Sequence, residues 1–137
     1  IFVDRAAAGG YPAREIDAER ATLLQASGHH QSALDLRLRL VRDEPGIHTL
    51  GALASLLAEM GEWSASDSYY VAALETDTGV SPFACSQLLY EWAVCALRRG
   101  DLERAEEVLA DLNLILPQHV RGRALRAEVA IARGAAA

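Results

Sequence analysis

Four single glycines, Gly28, Gly61, Gly100 and Gly134, punctuate this chain at intervals of 33, 39 and 34 residues. A mark that returns at about 20 to 50 residues constrains a fold more than any local propensity. It signals stacked supersecondary units, each too small to bury a core alone. Aligned on the first three glycines, the segments GHHQSALDLRLRLVRDEP, GEWSASDSYYVAALETDT and GDLERAEEVLADLNLILP resemble one another. The first and third carry an alanine five positions on (Ala33, Ala105) and a proline 17 positions on (Pro45, Pro117); the second has Ser66 at the alanine position.

The nature of the unit turns on ALDLRLRLV, residues 33 to 41. Its leucines alternate with charged residues, as in a half-buried strand. No other stretch offers convincing alternation, so a strand here has no partner. At 100° per residue, Ala33, Leu34, Leu36, Leu38, Leu40 and Val41 fall in one broad arc of a helix. Asp35 and Arg39 lie outside it at a favourable i,i+4 spacing. Composition agrees: the 137 residues are 51% hydrophobic, only 6% aromatic, and dominated by Ala, Leu, Arg and Glu, which are strong helix formers. The expected class is all-α.

These marks resemble the tetratricopeptide repeat, a helix–turn–helix unit with a small residue at the turn, an alanine early in the second helix and a closing proline. HTLGALASLLAEMG, SQLLYEWAVCALRRG and VRGRALRAEVAIARG read as first helices. Large-apolar and small positions of the family match Leu50, Leu53, Ala54 and Leu57, then Leu89, Trp92, Ala93 and Ala96. The first unit departs from the pattern with Asp17 and Arg20. The resemblance spans roughly residues 13 to 134 and implies an α-solenoid of antiparallel helix pairs, about three repeats plus a terminal helix. Residues 1–12 are expected to be a flexible segment or the tail of an upstream repeat, and 13–137 the repeat domain, with Pro12 opening its first helix. Gly134, followed only by alanines, suggests that a further second helix lies beyond the window.

Two features break the regularity. The interval of 39 residues holds five extra, within LETDTGVSPFAC. Gly79 suits the position after a helix, Ser81 an N-cap and Pro82 the first helical residue. The spacing therefore predicts one helix over 82–98, about a turn longer than the other first helices. Arg37 sits inside the apolar arc, where later units place Tyr70 and Leu109. It is expected to lay its stem on apolar surface with a solvated head, the alternative being a buried pair with an acidic neighbour.

Chemistry-bearing patterns are sparse. Phosphate-cradling glycine loops, paired catalytic carboxylates and metal-ligand spacings are missing. The His29–His30 doublet reads as a solvated loop, Glu106–Glu107 as a solvated helix face, and Arg98–Arg99 as a basic helix C-terminus. The arginines of VRGRALRAEVAIARG read as a solvated basic end or a contact surface for another domain. Trp63 and Trp92 fall at packing positions. Cys85 and Cys95, ten residues apart on one helix, are too far apart to bridge and suit a reducing compartment. Net charge is −6 with a sequence pI near 5.1, which argues against nucleic acid. With no apolar run long enough to span a bilayer, the expected location is cytoplasmic.

What remains is a surface. The resemblance implies that first helices line a concave groove, to which Glu15, Glu19, Thr22, Gln25, His48, Ser55, Glu59, Gln87, Tyr90, Glu91, Val94, Arg98, Arg121, Leu125, Glu128 and Ile131 would contribute. Some family members clamp a terminal carboxylate with basic residues; here the matching positions hold Ala18 and Thr22 and the chain has no Lys. The expectation is a non-enzymatic interaction scaffold without cofactor. It would bind a neutral to basic peptide or helix of a partner protein, apolar anchors toward the C-terminal half. The alternatives are an accessory domain of a larger enzyme or regulator, or a small secretion-type chaperone.

Overall fold

A computed structural model describes residues 13 to 136, and the expectations for residues 1–12 lie outside them. The described residues form seven α-helices and no strand: α1 (Ala13–Ala26), α2 (His30–Asp43), α3 (Ile47–Glu59), α4 (Trp63–Glu75), α5 (Pro82–Arg98), α6 (Leu102–Ile115) and α7 (Val120–Ala136). They fall into two compact units that meet in sequence at Thr76–Asp77. In the first, α1 packs on α2, α2 on α3 and α3 on α4; in the second, α5 packs on α6, and α7 on both. Packing between neighbours in this order is consistent with a helical repeat.

Three of the four marker glycines make one turn three times. Gly28, Gly61 and Gly100 have φ of +83°, +80° and +82°, the left-handed region in which a Cβ is strained. Each donates its N–H to the carbonyl three residues back, and the next residue donates five back: Gly28 to Gln25 and His29 to Leu24, Gly61 to Ala58 and Glu62 to Leu57, Gly100 to Leu97 and Asp101 to Ala96. That paired bond is the Schellman motif, which satisfies two orphan carbonyls and reverses the chain into the next helix. Gly134 differs: it lies inside α7 and makes no turn.

Past each turn, the same register positions are buried. Ala33, Ser66 and Ala105, five residues after the glycines, have no exposed surface. Small side chains there let the paired helices approach closely, and Ser66 adds a hydrogen bond from its Oγ to the Ala54 carbonyl at 2.7 Å. Nine residues after the glycines stand Arg37, Tyr70 and Leu109, all buried. Leu36, Leu40, Leu50, Leu53, Leu56 and Leu57 fill the first unit; Leu88, Leu89, Trp92, Leu109, Leu112 and Val129 fill the second. At Gly122 the backbone of α7 comes so close to α6 that a Cβ would stand 2.6 Å from Leu112 Cδ2.

The insertion is divided between loop and helix. α5 does cover 82–98, its 17 residues exceeding α1 and α3 by about a turn, though α7 is equally long. Ser81 Oγ accepts the Phe83 N–H and Pro82 opens the helix. The rest of the insertion lengthens the connection 76–81. Gly79 has positive φ but stands in mid-connection; Thr76 is the residue that closes α4.

Other expectations need correction. Trp63 is 48% exposed at the first position of α4, whereas Trp92 is buried with the Arg104 guanidinium 5.6 Å from its ring. Asp35 accepts from Gln31 Nε2 instead of pairing with Arg39. Asp17 and Arg20, at positions that suit apolar residues, pair with each other at 3.5 Å. Both cysteines are free thiols on α5, and burial together with nearby Asp77 and Asp111 pushes the Cys85 thiol above its usual pKa.

The N-terminus of α6 shows how one cap is held. Asp101 Oδ1 accepts the Arg104 N–H at 3.0 Å and Oδ2 accepts from Arg99 at 3.1 Å. The backbone bond above all, with help from Arg99 and Arg104, holds the Asp101 carboxyl below the usual range of carboxylates, against a smaller opposing effect of burial. A folded pKa below the unfolded one contributes stability that is present above about pH 4 and lost as pH falls through the folded value. Asp101→Ala should cost about 1 kcal/mol at neutral pH, and Asp101→Asn should retain most of the cap but lose that acid dependence. Urea unfolding midpoints between neutral and acidic pH measure both effects.

Candidate functional site

The α1, α2 and α3 ends of the first unit converge on a polar cluster around Arg37. Its guanidinium is not solvated: the residue is 8% exposed. Nε and one terminal nitrogen both donate to Gln25 Oε1, at 3.1 and 3.0 Å, and that nitrogen also approaches Thr22 Oγ1 at 3.4 Å. Gln25 Nε2 in turn donates to Glu59 Oε1 at 2.7 Å, and His30 Nε2 lies 3.5 Å from Glu59 Oε2. Burial pulls the Arg37 pKa down, while the charge of Glu59 pushes it up. The sequence suggested a snorkelling arginine or a direct ion pair. The structure shows a neutral amide relay between cation and carboxylate.

This arrangement changes the meaning of several expected groove positions. Thr22, Gln25 and Glu59 hold the first unit together before they face any ligand. His30 opens α2 and leans on Glu59, so it is more than a solvated loop residue. Its signal was available only as the first residue after a turn, which names no partner. Glu15, Glu19 and His48 are exposed, and Ser55 is half-buried.

In the second unit, α5 and α7 share a surface built on Tyr90. Arg121 stacks over the Tyr90 ring with its carbon 4.5 Å from the centroid, and the His119 ring stands 5.7 Å away, tilted by 32°. His119 is fixed as the cap of α7, its Nδ1 accepting the Gly122 N–H at 2.9 Å. Histidine is an unusual cap, so its role was not legible beforehand. Around this group, Gln87 Nε2 donates to Glu91 Oε1 at 2.9 Å, Val94 is half-buried, and Arg98, Glu128 and Ile131 are exposed. Leu125 is 5% exposed and serves the core.

Elsewhere, Arg133 pairs with Glu106 at 3.2 Å and Arg104 with Glu107 at 3.4 Å, so the basic end and the acidic face of α6 are partly neutralised. Arg99 is turned inward onto Asp101 while Arg98 points to solvent. Among the described residues no cluster of His, Cys, Asp and Glu could hold a metal ion, and no helix is long and apolar enough to cross a membrane. No protein-family model, curated protein or solved structure matches the chain.

The relay makes an asymmetric prediction. Arg37→Leu removes the buried charge and leaves neutral partners that solvent reaches, half-buried Gln25 and exposed Thr22, so it should cost less than about 1 kcal/mol. Gln25→Leu leaves a buried guanidinium without its main acceptor and should cost about 2 kcal/mol. The double substitution should recover most of that loss. Urea denaturation of the three variants decides; equal losses for the two single changes would show that Gln25 matters by packing alone.

Proposed function

We propose that this chain is a tetratricopeptide-like helical array that serves as an interaction scaffold, and that the α5–α7 surface around Tyr90 receives a peptide or helix of a partner protein. Support for the repeat reading comes from the three equivalent glycine turns and the three buried small residues that follow them. The Tyr90–Arg121 contact carries the binding reading. It joins the outward faces of two successive first helices into one surface with an aromatic centre.

The composition of that surface suits a short peptide. Tyr90 and Val94 are partly accessible, and aromatic side chains give large contact area at low entropic cost. Glu91 and Glu128 provide negative charge against Arg121, which lies over the ring, and Arg98, which ends α5. Glu91 lies about two turns before Arg98, so the ligand is read as neutral to basic, with an apolar side chain against Tyr90 and Val94 and a cation near Glu91. Exposed ion pairs contribute about 0–1 kcal/mol each, so the apolar anchor supplies most of the affinity and charge sets orientation and association rate.

A peptide library displayed against the domain tests this. Enriched sequences should be neutral to basic with one large apolar residue. Tyr90→Ala should weaken them about tenfold or more, and Glu91→Lys should shift selection away from basic peptides. Selection of acidic peptides, or affinity unchanged by both substitutions, would place the partner elsewhere.

A further inference from the structure

One imidazole fastens the start of α7. His119 Nδ1 accepts the Gly122 N–H at 2.9 Å, and the His119 carbonyl accepts the Arg123 N–H at 2.9 Å, so the residue closes the first turn through both side chain and backbone. Gly122 is also where α7 comes closest to α6: a Cβ there would stand 2.6 Å from Leu112 Cδ2 and 3.1 Å from His119 Nδ1. The His119 ring stands 5.7 Å from Tyr90 of α5. Arg121, which lies inside the capped turn, covers the other ring at 4.5 Å. Three helices thus meet at one side chain.

The oxygen of an asparagine cap accepts a hydrogen bond at any ordinary pH; an imidazole nitrogen does not. Nδ1 accepts only while it carries no proton, so this cap requires the neutral ring with its proton on Nε2. Histidine changes charge between about pH 5 and 8. Protonation turns the acceptor into a second donor facing the Gly122 N–H, and it places a positive charge at the positive end of the α7 dipole. The surroundings offer that charge no replacement partner. α7 contributes Arg121, Arg123 and Arg126. α6 contributes the uncharged Leu109, Leu112 and Asn113, while its Asp111 acts on Cys85. α5 contributes Tyr90, followed by Glu91, which already accepts from Gln87.

We propose that His119 is a pH-sensitive latch on the α5–α7 surface. Neutral, it caps α7 and keeps Arg121 over Tyr90. Protonated, it releases the Gly122 N–H, the first turn of α7 frays, and Arg121 leaves the ring. Leu125 and Val129 keep the rest of α7 packed, so the change is local. The latch rests on the cap geometry alone; that its opening also releases a peptide rests on the binding reading above.

Nuclear magnetic resonance of the whole chain reads the latch without any ligand. At about pH 8 the His119 nitrogens should show a bare Nδ1 and a protonated Nε2, and Arg121 should give Overhauser contacts to the Tyr90 ring. At about pH 5 those contacts should vanish. The Gly122 amide, referred to its intrinsic exchange rate at each pH, should lose about fivefold in protection while Val129 keeps its own. His119→Asn supplies a cap that does not titrate and retains His29, His30 and His48, so its Gly122 protection should be level between the two conditions. Three results would overturn the proposal: native Gly122 protection that acid leaves unchanged, an equal acid response in His119→Asn, which would assign it to another group, or a protonated Nδ1 at about pH 8, which would remove the acceptor.

Discussion

Two helices joined by three residues can pack along their length only if the chain reverses sharply and their backbones come close just past the turn. This chain meets both demands the same way three times. A glycine at φ near +80° closes the Schellman hydrogen bonds, and five residues later a side chain no larger than serine sits fully buried at the crossing. Each half requires the other. A β-carbon in the turn would strain the reversal, and a larger side chain at the crossing would separate helices that the turn has already aimed together. The buried leucines supply most of the stabilisation, but the turn and the small residue decide which faces meet. They therefore also decide which faces of α5 and α7 remain outside.

That division explains what could be read from the sequence. Helices repeat a pattern along one chain, so glycine spacing and apolar arcs fix element order and most of the core without knowledge of tertiary contacts. ALDLRLRLV is helical because its leucines fit one arc, and Pro82–Arg98 is a single helix because Ser81 and Pro82 start it. Gly134 fails for an instructive reason. A glycine marks a turn only when the chain reverses, and α7 continues past it. Trp63 fails because the first residue of a helix can point past the neighbouring helix whatever its hydrophobicity.

The candidate sites were less legible because polar partners are chosen in three dimensions. Arg37 lies 12 residues from Gln25, and Gln25 lies 34 from Glu59, yet one chain of hydrogen bonds links them. Nothing in local composition distinguishes a neutral acceptor from a carboxylate or from water. The same holds for His119, whose ring caps one helix and flanks Tyr90 of another. Register alone puts Leu125 on a surface, but with Gly122 and Val129 it forms the narrow buried stripe by which α7 packs on α5 and α6.

The exclusive use of arginine as the fixed cation ties fold and surface together. A guanidinium is planar and presents several donors in a fork, so it can place two nitrogens on one amide oxygen, as Arg37 does on Gln25 Oε1, or lie over an aromatic ring, as Arg104 and Arg121 do. An ammonium has neither the fork nor the flat face. Several of the arginines thus act as structural parts: a buried donor, the partner of a cap, two ring covers, and the Arg133 bridge between α7 and α6. Net charge is then a poor guide to what the surface offers. The overall sum is acidic, yet the cations outside these structural roles include Arg123 and Arg126, both exposed on α7. A local cluster of charge weighs more than the overall sum, because an exposed charge more than about 8–10 Å away is largely screened at physiological salt.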